Sequence, residues 1–265
     1  MFPLVLHMSC VLCWTIPLAA QPNGQDSGDQ KAEAQVAQWM DRFTEHSRQR
    51  QFDKALAALD QIEKLNKDRA LTFYLRGRTQ FQRAAFKESV ADFDQYVKLE
   101  PRVESRQWER GISMYYARQY KRGAEQFELY QTYHNQDVEN SVWRFLCMTP
   151  AVGVEKAREV MLPIENDPRI PMMKIFELYR GTATPADVLK DVGRGDPNPN
   201  VRAARSFYAH LYLGLFYEVT KNSDKARKYI ELAAKPNLVN HPGINSYMWD
   251  VARVHWDQMQ QAKKR

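Results

Sequence analysis

The sequence predicts an all-α fold, an α-solenoid of about five to six helical hairpins that ends in a C-terminal capping helix. The first observation is an aromatic residue that recurs at an interval of 34, at Phe52, Phe86 and Tyr120. The second is a pair of glycines, Gly77 and Gly111, at the same interval. Small residues at fixed positions of such a period, with large apolar residues between them, are typical of stacked helix–turn–helix units.

The composition agrees with a helical chain that buries a sizeable core. Of the 265 residues, 44% are hydrophobic and 12% are aromatic, whereas only 11 are glycine, which disfavours a loop-rich β protein. The formal net charge is +6, and acidic residues are interleaved with the basic ones. This pattern favours a solvated surface over a basic face for an anionic partner, and we expect no nucleic-acid binding.

The N-terminus predicts export from the cell. Residues 1–20 contain no Asp, Glu, Lys or Arg and end in Pro17-Leu18-Ala19-Ala20. An apolar run before small residues is typical of a signal that is cleaved, here after Ala20. An uncleaved anchor and a wrongly assigned start are the alternatives. The polar residues 21–35 that follow are predicted to form a flexible linker.

The three cysteines predict no disulfide framework. Cys10 and Cys13 lie in the leader, and neither follows the Leu and small residues that a bacterial lipoprotein signal needs. Without the leader, only Cys147 remains, and its neighbours in sequence are apolar. We therefore expect Cys147 to be a small buried hydrophobic residue.

The interval of 34 is the signature of the tetratricopeptide (TPR) repeat and sets a register for residues 36–243. Small residues at position 20 are expected to let the two helices of a unit approach, and large residues at position 24 to fill the space between units. Position 8 marks a close helix crossing. The predicted units are 36–69, 70–103, 104–137, 138–171, a degenerate 172–206, and 207–240. Position 8 is occupied by Phe43, Gly77, Gly111 and Phe145. Position 20 is occupied by Ala55, Ser89, Gly123 and Ala157. Position 24 is occupied by Leu59, Phe93, Phe127 and Met161.

The degenerate unit and the C-terminus have their own helix signals. Residues 172–179 predict a short amphipathic helix that ends at Gly181. Thr184 is a good N-cap for a second helix, because Asp187 follows it three residues later. After Pro242, apolar residues share one helical face, so residues 244–265 are predicted to cap the last unit.

No motif for catalysis or cofactor binding occurs. The chain has no phosphate-binding loop, no H-E-x-x-H and no G-x-S-x-G, and its six histidines do not pair at i, i+4. We therefore expect no enzyme activity, no cofactor and no metal site. A site built on Cys147 or on a pair of carboxylates is the least favoured alternative.

In a TPR array the first helix of each unit lines a concave face through positions 2, 5, 9, 12 and 13. Here these positions predict an aromatic groove with few acids, suited to a protein or peptide that is anchored by apolar side chains. We call this set of residues the predicted groove. It consists of Tyr74, Arg78, Phe81, Trp108, Ile112, Tyr115, Tyr116, Trp143 and Tyr212.

Longer stretches resemble the bacterial NlpI-type TPR lipoprotein family. They include Arg110-Gly111-Ile112 with Tyr115-Tyr116, the run Ile175-Phe176-Glu177-Leu178-Tyr179-Arg180-Gly181, and Tyr212-Leu213-Gly214-Leu215-Phe216-Tyr217. The resemblance covers roughly residues 73–256. It implies a homodimeric envelope adaptor that brings a processing protease together with cell-wall hydrolases. Because the lipoprotein signal is missing, a soluble periplasmic or secreted protein is favoured over a membrane-anchored one.

The sequence therefore predicts an exported scaffold or adaptor that binds proteins or peptides in the predicted groove. The alternative is a structural homodimerisation module whose groove is filled by its own terminal segments and holds no client.

Overall fold

All regular structure is helical within residues 24–264, the part of the chain that the computed structural model describes. The predicted all-α class is confirmed. The predicted export signal, residues 1–20, lies outside the described part. The helices are α1 (Gly24–Arg48), α2 (Phe52–Leu65), α3 (Ala70–Gln82), α4 (Phe86–Leu99), α5 (Trp108–Tyr116), α6 (Tyr120–Tyr130), α7 (Val138–Glu159), α8 (Met172–Arg180), α9 (Pro185–Val192), α10 (Pro199–Val219), α11 (Ser223–Ala233) and α12 (Ser246–Lys264).

Consecutive helices pack as hairpins, as in the pairs α1–α2, α3–α4 and α10–α11. The flexible linker predicted for residues 21–35 is wrong from Gly24 onwards, because α1 already begins there. Residues 28–35 are polar because they form a largely exposed part of this helix. The carboxylate of Glu33 reaches Arg69 at 3.3 Å, and Val36 is the first buried side chain from residue 28 onwards.

The turn inside each hairpin keeps the interval of the sequence repeat. Arg50, Ala84 and Arg118 all adopt a left-handed conformation, with φ of 56°, 62° and 59°. The residue after each of them donates its N–H to a carbonyl five residues earlier, as in Ala85 to Gln80 at 2.9 Å. This bond satisfies a carbonyl at the helix end that would otherwise lack a partner. Lys221 repeats the conformation between α10 and α11.

The close helix crossings also recur. A Cβ added to Gly77, Gly111 or Gly214 would lie 3.0, 2.7 or 2.6 Å from a side chain of the second helix in the same hairpin. Those side chains are Phe93, Phe127 and Ile230. Position 24 thus packs on position 8 of its own hairpin, a contact that the sequence prediction, which placed it between units, does not include.

Position 20 faces its own unit and also the next one. The Ser89 hydroxyl donates to the carbonyl of Gly77 at 2.7 Å and lies 2.9 Å from the hydroxyl of Ser113. A Cβ on Gly123 would lie 2.8 Å from the sulfur of Cys147. Cys147 is 1% exposed, so its predicted burial is confirmed.

Arginines at the same interval connect successive hairpins. Arg110 donates to Asp94 in the preceding hairpin at 2.8 Å and to the side-chain oxygen of Gln126 in its own hairpin at 2.7 Å. The equivalent contacts join Arg76 to Asp60 and Asp92, and Arg144 to Glu128 and the carbonyl of Val160.

The fourth predicted unit departs from this plan. Helix α7 is kinked at Gly153, whose φ of 80° and ψ of 166° are not helical, and residues 160–171 form no α-helix. The next unit follows its prediction closely. Gly181 ends α8 in a left-handed conformation, and Thr184 and Asp187 form a reciprocal capping box at the start of α9.

Candidate partner-binding surface

Helix α12 lies against the predicted groove, in addition to packing on α11 as a cap. Tyr247 is fully buried, and its ring stacks on Phe81 with centroids 5.0 Å apart. The ring of Trp108 meets it edge-on at 5.4 Å, and the guanidinium of Arg78 lies 5.2 Å from it. The prediction that this helix covers the final unit is therefore incomplete, because the helix also fills part of the groove, which is where the homodimerisation alternative expects a terminal segment.

A buried carboxylate fixes the middle of α12. Asp250 is 3% exposed; it forms an ion pair with Arg50 and accepts a hydrogen bond from the Gln82 amide at 2.7 Å. Arg253, one turn further on, donates to the carbonyl of Gln82. Near the C-terminal half, the Tyr116 hydroxyl lies 2.9 Å from Nδ1 of His255. These contacts connect residues that are 139 to 200 positions apart in the chain.

The residues of the predicted groove are brought to one region but are not equally accessible. Phe81, Ile112, Trp143 and Tyr212 are at most 1% exposed, so the prediction that they line an open groove is wrong. Packing explains this: α12 covers Phe81, and the Tyr212 hydroxyl is turned to Glu139 at 2.6 Å. The partly exposed residues are Tyr74, Arg78, Trp108, Tyr115 and Tyr116.

Sequence reasoning misses the buried acids, because it assigns most carboxylates to solvated helix faces. Glu109 is 5% exposed; it accepts a hydrogen bond from the Tyr74 hydroxyl at 3.1 Å and lies 3.5 Å from Arg78. Burial raises the pKa of the Glu109 carboxyl, although Arg78 and Tyr74 favour its charged form. Glu109 therefore organises two residues of the predicted groove rather than facing water.

Beyond the start of α12, the surface contains an open cavity of about 190 Å³, which we call the inner cavity. Its walls combine aromatic and polar side chains. They include Trp108, Trp143, Tyr208, Glu139, Asn140 and Arg169. Trp108, which is partly exposed, and the buried Trp143 both belong to the predicted groove, so only Trp108 of the two lies at an accessible site.

A network of carboxylates around Arg169 reaches one wall of the inner cavity, which Asp137, Glu139 and Arg169 line while Asp167 lies outside the lining. The guanidinium donates to Glu139 at 2.6 Å, to Asp137 at 2.7 Å and to Asp167 at 2.6 Å. Burial raises the pKa of the Glu139 carboxyl, although Arg169 and Tyr212 favour its charged form. The pKa of Asp167 is held below its ordinary value, because its bonds with Arg169 outweigh the effect of burial. No local pattern in the sequence signals this network, since its members come from two separate segments of the chain.

A second, wider depression of about 500 Å³ adjoins the inner cavity and shares Arg169 and Tyr208 with it. We call it the outer groove. Its surface is mainly apolar, with Met172, Val201 and Pro242 among the residues that line it. Val201 is 41% exposed, so an apolar side chain of this groove is open to solvent.

Comparison with family models gives no match to this chain, and comparison with curated proteins gives no relative. Among the helices of residues 24–264, none is both long enough and apolar enough to cross a membrane.

Proposed function

We propose that this protein is an exported TPR-type scaffold that binds a protein or peptide partner at the inner cavity and outer groove. The proposal that its hairpins form a TPR solenoid is supported by turns, glycine contacts and arginine contacts that recur at the interval of the sequence repeat. Stacked helical hairpins of this kind create extended surfaces that bind other chains.

The observation that carries the proposal is the open surface next to α12. The inner cavity and outer groove adjoin, and together they offer aromatic, apolar and charged groups to one ligand. Buried aromatic side chains at such sites dominate binding energies, at about 2 kcal/mol or more for the strongest. Three or four anchors of that strength reach the roughly 8 kcal/mol that a micromolar complex needs.

Export and envelope partners belong to the same proposal. They rest on the leader-like residues 1–20 and on the resemblance to NlpI-type proteins, which points to a protease or a cell-wall hydrolase as partner. If the leader is cleaved after Ala20, the exported protein has the mass of residues 21–265, which intact-mass measurement of the purified envelope fraction checks.

Site-specific photocrosslinking tests partner binding. A photoreactive phenylalanine analogue replaces Val201 in the outer groove, and a matched variant carries it at Val152, which is 40% exposed and lines neither depression. We expect a defined partner adduct from position 201 only. Equal adducts at both positions, or none at position 201, would contradict the proposal.

The second candidate is a homodimerisation module without a client. It is favoured by the docking of α12 in the predicted groove, since a chain that fills its own groove needs no partner there. Light scattering of the mature protein, together with the crosslinking, separates the two candidates. A dimer whose position 201 crosslinks only to a second copy of the chain supports the homodimerisation module.

A further inference from the structure

We infer that the inner cavity binds the cationic side chain of a basic residue in the partner peptide, an inference that rests on the proposed function. The ligand class is a guanidinium or ammonium group on a flexible apolar stem. The outer groove then takes apolar residues next to it in the peptide.

The first support is the local charge. Asp137, Glu139 and Asp167 surround Arg169, so three carboxylates face one guanidinium and the cluster carries two more negative than positive charges. The chain as a whole has a formal charge of +6, so this cluster runs against the overall excess. A cation is attracted to such a site and an anion is repelled.

The second support is that the donors of Arg169 are already engaged. Its Nε and both terminal nitrogens donate to carboxylate oxygens of the three acids, at 2.6 to 2.9 Å. These four hydrogen bonds leave one of the five N–H groups of a guanidinium, too few for a bidentate grip on an anion. The arginine therefore holds the acids in place rather than clamping a phosphate or a carboxylate.

The third support is the aromatic lining of the inner cavity. Trp108, Trp143 and Tyr208 line the inner cavity beside Glu139. Aromatic faces attract cations, and cages of such rings recognise ammonium groups. The volume of about 190 Å³ exceeds the roughly 150 Å³ cavity that admits a benzene-sized molecule, so a long side chain fits.

The fourth support comes from polar atoms without partners. Asn140 is 3% exposed and lines the cavity; its amide nitrogen donates to Gln131 at 3.1 Å, but its carbonyl oxygen accepts no hydrogen bond. The indole nitrogen of Trp143, 1% exposed in the same wall, also has no partner. Buried polar atoms are rarely left unpaired in folded proteins. The Asn140 oxygen has almost no exposed surface, so the ligand reaches it when the Asn140 side chain turns toward the cavity; its cationic N–H then supplies the missing donor.

The test uses two small probes and the full exported chain. N-acetyl-arginine amide carries the cation, and N-acetyl-citrulline amide has nearly the same shape without the charge. Binding is followed by NMR through the indole N–H signals of Trp108 and Trp143, assigned from Trp108→Phe and Trp143→Phe. We expect the arginine probe to bind at least tenfold more tightly than the citrulline probe.

Two variants locate the site. Glu139→Gln, which keeps a hydrogen-bond acceptor for Tyr212, should weaken arginine binding at least fivefold, and Glu125→Gln on the exposed face of α6 should leave it unchanged. Trp108→Leu is the second variant if Glu139→Gln fails to fold, because it removes an aromatic wall at a partly exposed position, and should weaken binding about threefold or more.

Equal binding of the two probes overturns the inference, and so does the absence of any indole shift up to about 20 mM, since so small a ligand is expected to bind with a millimolar Kd. The crosslinking result is separate. A partner adduct at position 201 without arginine binding overturns the cationic site alone, and arginine binding without an adduct overturns the proposed function alone.

Discussion

At the scale of the residue, the glycines at the helix crossings set how closely the two helices of a hairpin approach. The ring of Phe127 occupies the space that a side chain on Gly111 would need, with three ring atoms within 3.0 Å of the added Cβ. Phe127 is fully buried, so it has little room to move away. Glycine is required here by contact with a neighbour and not by its own backbone conformation.

Gly111→Ala is therefore expected to destabilise the protein by about 1–3 kcal/mol, the usual cost of overpacking a filled core. The measurement is urea unfolding followed by circular dichroism. Gly28→Ala is the matched control, since Gly28 also lies in a helix but has nothing within 4 Å of the added Cβ. That variant should be neutral or gain up to about 1 kcal/mol from the better helix propensity of alanine. Equal stability changes in the two variants would refute this account of the crossing.

At the scale of the element, the arginines that connect successive hairpins make polar contacts between one hairpin and the next. Arg110 is largely buried, with 12% of its side chain exposed, and it contacts Asp94, Glu104 and Gln126. A planar guanidinium suits this position because its donors are fixed in directions that reach the preceding and the following helix together. The same geometry recurs at Arg76 and Arg144.

Arg110→Ala should cost about 2 kcal/mol in the free energy of unfolding, because it leaves the buried side-chain oxygen of Gln126 without its donor and removes ion pairs to the partly exposed Asp94 and Glu104. Arg110→Lys should recover only part of this, since an ammonium cannot span both helices. Lys121→Ala, at a side chain that is 92% exposed, should change stability by less than about 0.5 kcal/mol. Full recovery of stability in the lysine variant would show that the positive charge alone stabilises the protein and that the planar geometry of the guanidinium does not contribute.

The elements also show what the sequence can predict. Its interval of 34 identifies the hairpins and their crossing glycines, and local signals identify the caps of α8 and α9, because those features depend on residues close in sequence. The arginine contacts could have been found in the same way, since Arg76, Arg110 and Arg144 keep the interval. The prediction of a linker over the start of α1 is wrong because an exposed helix and a flexible segment share a polar composition.

The candidate site is predicted less well from the sequence, because its residues come from segments that are far apart along the chain. Trp108 is assigned correctly to an accessible surface, but Trp143 is buried, and the acids around Arg169 are not predicted at all. The position of α12 in the groove is expected only by the alternative in which terminal segments fill it, and the pairing of Asp250 with Arg50 that fixes it has no local pattern in sequence. Contacts between distant segments depend on the tertiary arrangement, which periodicity within each helix does not specify.

At the scale of the whole molecule, α12 changes the connectivity of the array. A row of hairpins in which each contacts only its neighbours unfolds piecewise, since no contact links its ends. Here Asp250 joins Arg50 and Gln82 from the first two hairpins, while Trp249 donates to the carbonyl of Lys235 next to the last one. Helix α12 thus connects the first two hairpins with the last one through long-range contacts, and we expect these parts to unfold together.

The double variant Tyr247→Ala/Asp250→Ala should abolish this coupling. It removes a fully buried ring and leaves Arg50 without its buried partner, at a combined local cost of several kcal/mol. Amide hydrogen exchange is expected to rise in α12 and α3, whereas α10 and α11 keep their protection, because their own hairpin contacts are untouched. Asp257→Ala is the control, since the Asp257 side chain is 49% exposed and its partner is Arg253 in the same helix. A single transition in the double variant, with α3 as well protected as before, would mean that packing between neighbouring hairpins alone makes unfolding cooperative.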